Sequence, residues 1–552
     1  MQIVIPMSGK GERFLRAGYK SPKPLIEVNG KPLIGHILDL FPGEDNVIFI
    51  CNEEHLETTN MRETLKKYCP QGEIISIRPH KLGPVFAVSK AFNYIDDNLP
   101  TIVNYCDFSC YWDYRKLKNW LRECNPDGCI PAYRGFHPHS LSGNNYAFMK
   151  VKDGWMQEIQ EKKAYTSNKM QEYASSGTYY FSKGGLLKNY FSEAISKNML
   201  VNNEYYCSVV YNLMVKAGLC VAVYELQHFM QWGTPEDLKE YSRWSNTFEA
   251  IISKKTSRKI IFKGTTLVSM AGKGSRFSKE GYKIPKPLIE VNGQPMFIQS
   301  AKSLPKSSRY HFVALKDSNI SDRADIISQD LFKKTEFTLL NEISEGQACS
   351  CFAALEKIPL NEPLTISACD HGVIFNEEKL LHLFDNKDID IIIWVNRGHP
   401  DAIRRPESYG WVNLNSNHIK SVLVKECPNN PSSDPLIIGT FTFKKAEIFK
   451  NCYERLLARN GKVNNEFYID SCINDAISMG YKCQIFEVDH FLCWGTPQDL
   501  KCFEYWQSCF HKWHSHPYSF GKDNFNDKSL SKLPDYLYSK NYKLPSRLGN
   551  IS

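Results

Sequence analysis

Apolar and polar positions alternate in blocks along the first hundred residues. Residues 3–6, 46–50, 74–77 and 102–103 are short apolar runs of strand length, whereas 32–41, 54–67 and 85–95 read as amphipathic or polar helical stretches. Strands interleaved with helices predict a sheet with a parallel core and helices on its faces. In open sheets of this kind ligands collect beyond the carboxyl ends of the strands. The loop around Gly9 and the side chain of Asp107 both fall there.

The same pattern is then written a second time. Residues 7–33, MSGKGERFLRAGYKSPKPLIEVNGKPL, match residues 270–296, MAGKGSRFSKEGYKIPKPLIEVNGQPM, at 19 of 27 positions. The offset of 263 carries Gly83 to Gly346, Asp107 to Asp370 and Tyr146 to Tyr409, and after a one-residue deletion an offset of 262 carries Gly177-Thr178 to Gly439-Thr440 and Trp232-Gly233-Thr234-Pro235 to Trp494-Gly495-Thr496-Pro497. A period this long exceeds the roughly 20–50 residues of solenoid repeats, so each copy is expected to be a globular domain of its own. The boundaries read as 1–252 for the first domain, 253–263 for a linker, 264–508 for the second domain and 509–552 for a loosely packed tail.

Composition narrows the classes. A chain of 552 residues with 42% apolar and 23% charged positions is neither fibrous nor disordered. Its excess charge of +8 is spread thinly, which suits anionic small molecules and does not call for nucleic acid. No run approaches the roughly 18 apolar residues of a membrane span, and the chain enters a strand at once, so a cytoplasmic location is expected. The 18 cysteines include no C-x-x-C pair, which argues against the common zinc pattern and for buried thiols. His511, His514 and His516 read as part of a solvated tail, not a metal site. No heptad run marks an oligomer, and the oligomeric state is left open.

The candidate chemistry lies in the repeated segments. Gly9 and Gly11, with Gly272 and Gly274, let the backbone approach an anion and turn its amides toward phosphate oxygens. Arg13 and Arg276, two residues past the second glycine, can fork onto phosphate. Lys23 and Lys286 follow ten residues later, each between prolines that restrict the backbone on both sides.

This set, G-x-G-x-R-F followed by P-K-P-L, resembles the sugar nucleotidyltransferase superfamily, the nucleotide-sugar pyrophosphorylases, and it does so twice, over roughly 1–245 and 264–508. The spelling of IPMSGKGERF and WGTPEDL is similar to members of bacterial capsule and surface-glycan synthesis. The resemblance implies an α/β fold of two tandem Rossmann-like nucleotidyltransferase domains, each with a mixed, mostly parallel central sheet flanked by helices. It implies a nucleoside triphosphate and a phosphorylated acceptor as partners and Mg2+ as cofactor. Arg13, Lys23, Arg276 and Lys286 are then the catalytic cations. The triphosphate is cradled by the four glycines, and the base is read near Arg78 and Gly83 in the first copy and Asn341 and Gly346 in the second. Asp107 and Asp370 match the magnesium aspartate. The residues where a second metal ligand often stands are Gln231 and Cys493, a departure from the pattern. Lys162 and Lys425 align with the lysine that binds the acceptor's phosphate, although Val424 replaces the acidic neighbour Glu161. Tyr146, Thr178 and Glu204, with Tyr409, Thr440 and Glu466, fall on the acceptor side. Ala147 stands where the family usually has glycine, which suggests a different acceptor in the first copy.

The function expected is transfer of a nucleoside monophosphate unit to a phosphorylated sugar or related metabolite with release of pyrophosphate. A cytidylyltransferase acting on a non-sugar phosphate is the alternative. A glycosyltransferase is disfavoured because its usual Asp-x-Asp occurs only as Asp388-Ile389-Asp390, ahead of a strand, and a non-catalytic nucleotide-binding protein remains the other rival.

Overall fold

The computed structural model describes residues 1–143, 145–253, 261–316, 320, 323–324, 327–328, 332, 334–415 and 418–526. The chain divides into two compact units, the first holding residues 1–246 and 508–516, the second 247–507 and 517–526. The second unit therefore begins at Thr247, inside the helix Pro235–Ser253, and not at the expected join.

In the first unit a ten-stranded sheet runs, edge to edge, through Tyr173–Ser175, Ala147–Lys152, Trp155–Glu161, Val221–Glu225, Gly128–Tyr133, Thr178–Phe181, Thr101–Asn104, Gln2–Met7, Val47–Asn52 and Glu73–Ile77. Gln2–Met7 pairs in parallel with Val47–Asn52 and Thr101–Asn104, and Val47–Asn52 with Glu73–Ile77. From Thr178–Phe181 onward most pairings are antiparallel. The sheet is thus mixed, but the expectation that it is mostly parallel holds only for the half that contains Gln2–Met7. The physical reason is that the other half is built from a hairpin and returning strands that need no crossover helix.

Alternation along the strands explains the core. Ile3, Ile5 and Met7 pack on one face of the sheet with Phe49 and Trp120, whereas Val4, Ile48 and Ile50 pack on the other with Val103 and Leu187. A period of two sends successive side chains to opposite faces, and with both faces covered the strand reads as continuously apolar. The expected helix over 54–67 is two shorter ones, Glu53–Thr58 and Met61–Tyr68, and that over 85–95 ends at Ser89 before a 3-10 turn at Phe92–Tyr94.

In the second unit Ile261–Ser269 is the central parallel strand, flanked by Lys306–Leu315 and Leu364–Ala368. Leu436–Phe443 runs antiparallel to both Leu364–Ala368 and Ile391–Asn396, and the hairpin Gly410–Asn415/His418–Val424 joins it. The triplet Asp388-Ile389-Asp390 lies ahead of Ile391–Asn396, at the amino end of that strand.

The chain past residue 508 is not a loose tail as far as residue 526. His516 is buried and its ring stacks on Phe510 at 4.1 Å. Tyr518, Phe520 and Phe525 are buried as well, and Tyr518 donates a 2.7 Å hydrogen bond to Asp523 Oδ2. Aromatic residues without periodicity can still fill a core when packing, not secondary structure, orders them. The remainder, 527–552, lies outside the described residues, as do 254–260 of the expected linker. Thirteen of the 18 cysteines are buried and all are free thiols. Among the described residues no helix is long and apolar enough to cross a membrane.

Candidate active site

Each glycine loop leaves the carboxyl end of its unit's central parallel strand and turns directly into a short helix, Glu12–Arg16 in the first unit and Ser275–Lys279 in the second. Gly11 and Gly274 begin these helices at φ of 65° and 61°, a left-handed conformation that glycine adopts at least cost. Phe14 and Phe277 anchor the helices in the core, leaving Arg13 and Arg276 exposed on the outer side. Nothing lies within 4 Å of a Cβ built on Gly9 or Gly272, so the loops are open toward solvent.

Lys23 and Lys286 reach the same pair of partners in their own units. Lys23 Nζ donates to Asp107 Oδ2 at 2.7 Å and to the Gly233 carbonyl at 3.1 Å, and Lys286 Nζ to Asp370 Oδ2 at 2.5 Å and the Gly495 carbonyl at 2.9 Å. Two antiparallel ribbons make this convergence. Phe108–Tyr111 pairs with His228–Gln231, and His371–Ile374 with His490–Cys493, so each aspartate carbonyl receives the NH of Trp232 or Trp494 at 2.9 Å. The Trp-Gly-Thr-Pro segments are helix starts. Thr234 Oγ1 bonds Asp237 Oδ2 at 2.7 Å and Thr496 Oγ1 bonds Asp499 Oδ2 at 2.7 Å, with proline at the first helical position. Burial alone would raise the Asp370 carboxyl, but the Lys286 ammonium and the neighbouring His371 ring hold it well below the usual carboxylate range.

In the first unit a cleft of about 550 Å³ is lined by Gly9, Gly11, Arg13, Lys23, His80, Gly83, Asp107, Glu204 and Tyr206. In the second a cavity of about 250 Å³ is lined by Arg276, Lys286, Asp370, Arg405, Tyr409, Lys425, Tyr468, Asp470 and Asp499. Both hold arginine, lysine and aspartate around open space, an arrangement suited to a polyanion.

With this geometry in view, the first copy matches the family model described as Nucleotidyl transferase over residues 3–209. The chain is 39% identical over 69 residues to the 2-C-methyl-D-erythritol 4-phosphate cytidylyltransferase of Halalkalibacterium halodurans, covering 12% of this chain and 28% of that protein. It is 26% identical over 209 residues to the Bifunctional protein GlmU of Thermosipho africanus, covering 37% and 42%. The chain thus spans less than half the length of these curated relatives. Among solved structures, the nucleoside-diphosphate-sugar pyrophosphorylase from Vibrio cholerae RC9 is 20% identical, with 43% of this chain and 98% of that chain covered at a TM-score of 0.35.

In the first unit Lys162 Nζ donates to Tyr206 Oη at 2.6 Å, and Tyr206 is the aromatic residue that its ammonium overlies. In the second unit Lys425 bonds the Ser408 carbonyl and overlies Tyr468. Both lysines sit at φ 59°, a left-handed backbone that is uncommon outside glycine and turns each side chain out of its strand. Burial pulls the Lys425 ammonium below its ordinary value, opposed by Asp470, and burial pushes the Asp470 carboxyl up, opposed by Lys425.

Several expected residues fall elsewhere. Thr178 and Thr440 are both buried, Thr178 donating to Asn104 Oδ1 at 2.6 Å and Thr440 lying 2.9 Å from His371 Nε2. They lie on strands whose side chains alternate inward at that position. Arg78 and Asn341 are exposed and absent from the two cavity linings. The chain turns after Ile77 and brings in His80, 3.3 Å from Ser8 Oγ. Tyr146 packs edge-on against His139 at 5.1 Å and does not line the first cleft, whereas Tyr409 lines the second cavity. Glu204 lines the first cleft; Glu466 is exposed and outside the second cavity.

Gly83 and Gly346 act through the backbone. Tyr205 N donates to the Leu82 carbonyl at 2.9 Å and Phe467 N to the Glu345 carbonyl at 2.8 Å, an approach that leaves no room for a side chain. His80, His371, Arg405, Asp470 and Asp499 were not singled out from the sequence. Comparing the copies position by position offers the only signal for Arg405 and Asp470, which replace Ser142 and Ser208.

Among the described residues no group of three or more His, Cys, Asp or Glu side chains could hold a metal ion. In the first unit a Cβ on Gly233 would lie 2.5 Å from Gln231 Nε2 and 3.3 Å from Asp107 Oδ2, so amide and carboxylate flank one spot. One carboxylate with an amide oxygen fits magnesium when substrate phosphates supply further ligands, which here requires the Gln231 amide to turn its oxygen where Nε2 now stands. The second unit does not fit in the same way. Cys493 is buried, its thiol donates to Asp499 Oδ2 at 3.6 Å, and burial pushes it well above the ordinary thiol value. A neutral thiol is a poor magnesium ligand.

Proposed function

We propose that each unit carries a nucleotidyltransferase site that joins a nucleoside monophosphate unit to a phosphorylated small-molecule acceptor. The observation that carries this reading is the duplicated clamp of lysine, aspartate and Trp-Gly carbonyl beside an open glycine loop. A phosphate oxygen of the acceptor attacks the α-phosphorus of the triphosphate, the bond to the β-phosphate bridging oxygen breaks, and pyrophosphate leaves with that electron pair. No protein nucleophile is required. Arg13 and Arg276 fork onto the departing phosphates, and Lys23 and Lys286, held by their aspartates, neutralise charge near the reacting phosphorus. Lys162 and Lys425 hold the acceptor's phosphate. In the first unit Asp107 and Gln231 would hold Mg2+, which adds charge neutralisation at the phosphates when bound.

The acceptor class in this reading is a sugar phosphate or related metabolite, and the product an activated precursor for capsule or surface-glycan synthesis in the cytoplasm. The basis for that step is the resemblance of the IPMSGKGERF and WGTPEDL segments. A cytidylyltransferase acting on a non-sugar phosphate, such as a phosphorylated amine or amide, is the second reading, favoured as to the base by the similarity over 69 residues to a protein named as a cytidylyltransferase.

The test is pyrophosphate release from the full chain with each of ATP, CTP, GTP and UTP against a panel of phosphorylated acceptors, read together with product mass. Lys23→Ala and Lys286→Ala should each remove one activity by about a hundredfold or more. If either substitution leaves all turnover intact, that unit is not catalytic.

A further inference from the structure

Each acceptor-side lysine has a carboxylate near it, but the two units deliver that carboxylate from different elements. In the first unit the strand Trp155–Glu161 ends in Glu161, whose cross-strand partner is Ala147. Glu161 Oε2 accepts a 2.5 Å hydrogen bond from Ser208 Oγ on the helix Cys207–Lys216. In the second unit the register is the same, Val424 opposite Gly410, yet the strand residue is apolar. The acid is Asp470, on the helix Ile469–Ser478. Three positions have exchanged together: Glu161, Ala147 and Ser208 in one unit are Val424, Gly410 and Asp470 in the other.

The exchange has a steric cause. A Cβ on Gly410 would overlap Asp470 Oδ1, so the helix carboxylate fits only against a glycine. Ala147 fills that space in the first unit, and the facing helix residue is the smaller Ser208. Ala147 and Ser208 are buried, so this corner is closed there and the strand supplies the charge instead. Asp470 is not consumed by the fold. Among the described residues no other side chain donates a hydrogen bond to it; its partner is its own backbone NH, and it lines the second cavity with Lys425, Tyr409 and Arg276. A carboxylate with open acceptor positions in a cavity is satisfied by a donor that a ligand brings.

We infer that these three coupled positions set acceptor choice: the second unit takes a phosphorylated acceptor whose hydroxyl or ammonium donor lies on the helix side of its phosphate, where Asp470 receives it. Val424 leaves the strand side without a polar partner, so a donor placed there would be desolvated and unpaired. The first unit lacks that acceptor: Ser208 stands at the helix position and its hydroxyl donates to Glu161. The inference rests on the reading of both sites as transferases, and it deepens that reading by assigning the two sites different acceptors.

The test uses the full chain in two backgrounds, Lys23→Ala to report the second site and Lys286→Ala to report the first. Acceptor probes are glucose 1-phosphate, glycerol 3-phosphate and phosphoethanolamine, with pyrophosphate release as the signal. The two backgrounds should rank the probes differently. In the Lys23→Ala background Asp470→Asn, which keeps the size of the side chain, should raise the acceptor KM about tenfold or more while leaving the triphosphate KM unchanged. A larger loss for phosphoethanolamine than for the hydroxylated probes identifies an ammonium as the donor. The triple exchange Gly410→Ala, Val424→Glu, Asp470→Ser should move the second site's ranking toward that of the first. Identical rankings in both backgrounds, or an Asp470→Asn variant that shifts both KM values alike, overturn the inference while the transferase reading stands. Turnover lost in the Lys23→Ala background but retained in Lys286→Ala overturns the transferase reading of the second unit itself, and no turnover in any arm overturns it for both.

Discussion

Replacing Lys286 by methionine would remove the ammonium that ties Asp370 to the Trp494-Gly495 turn while leaving an apolar stem of similar length over Phe277. Both partners are mostly buried, with side-chain exposures of 18% and 24%. Breaking a fully buried pair from one side costs about 3–5 kcal/mol, because a charge is stranded, and the remaining exposure reduces this to about 2–3 kcal/mol. The double variant Lys286→Met, Asp370→Asn removes the stranded charge and should lose only about 1 kcal/mol. In the native protein burial would raise the Asp370 carboxyl, but Lys286 holds it well below the usual range. Its folded value therefore lies below the unfolded one of about 3.9, so the stabilisation is fully present above that pH and is lost only as pH falls through the lower folded value. In the single variant burial is opposed only by the neighbouring His371 ring and raises the carboxyl, so the sign reverses: the destabilisation is greatest near neutral pH and fades on acidification. A two-unit chain has no single unfolding free energy, so the assay is hydrogen exchange read by mass spectrometry on peptides spanning 364–374 and 490–496. Equal losses in the single and double variants, or a single-variant loss that stays constant from neutral to acid pH, would refute the reasoning.

Gly346→Ala places a Cβ 2.5 Å from the Phe467 carbonyl oxygen and 2.6 Å from its nitrogen at a φ of 134°, and Gly83→Ala places one 2.8 Å and 2.9 Å from the equivalent Tyr205 atoms. Neither obstacle is a flexible side chain, so each substitution should cost about 2–4 kcal/mol, seen as a fall of several degrees in one thermal transition of the chain; an unchanged scan would refute this steric reasoning. His516 is buried on Phe510 with Nε2 3.1 Å from Ser245 Oγ, and burial lowers its pKa to about 4. A histidine depressed by burial contributes stability that is present above its unfolded value near 6.5 and erodes as pH falls toward 4. Hydrogen exchange of peptides spanning 241–246 and 508–516 should therefore show local stability declining by about 2–3 kcal/mol across that window, and His516→Gln should flatten it; a decline of the same size in the variant would place the titration elsewhere.

Much of the site was legible because the chain states it twice. Lys23 and Asp107 are separated by 84 residues, as are Lys286 and Asp370, and both pairs meet. Repetition alone marks these residues, and the alternation of apolar runs locates them at the carboxyl ends of parallel strands. What the repeat could not reveal was contact. Lysine and aspartate read as separate phosphate and metal positions, yet each pair is a direct ion pair. Thr178 and Thr440 recur at matching positions and still face inward, because a motif carries no label for the side of the strand on which it falls.

The stretch past 508 shows the opposite error. It lacks periodicity and has no partner copy, so it reads as a tail. Its aromatic residues nonetheless pack as core through residue 526, since burial depends on which surface is nearby and not on local pattern.

The sequence by itself determined the duplication, the α/β class of both halves and the lysine, arginine, glycine and aspartate set, because those follow from local spacing and from residue types repeated in order. Only the tertiary structure decided which residues are neighbours across a gap in the chain. The loss of Glu161 at Val424 looks like a lost acid when read along the strand. In three dimensions Asp470, on a helix 46 positions further along, supplies the carboxylate, and Gly410 makes the space for it. Charge acts through distance and volume through exclusion, and neither is a property of position along a chain.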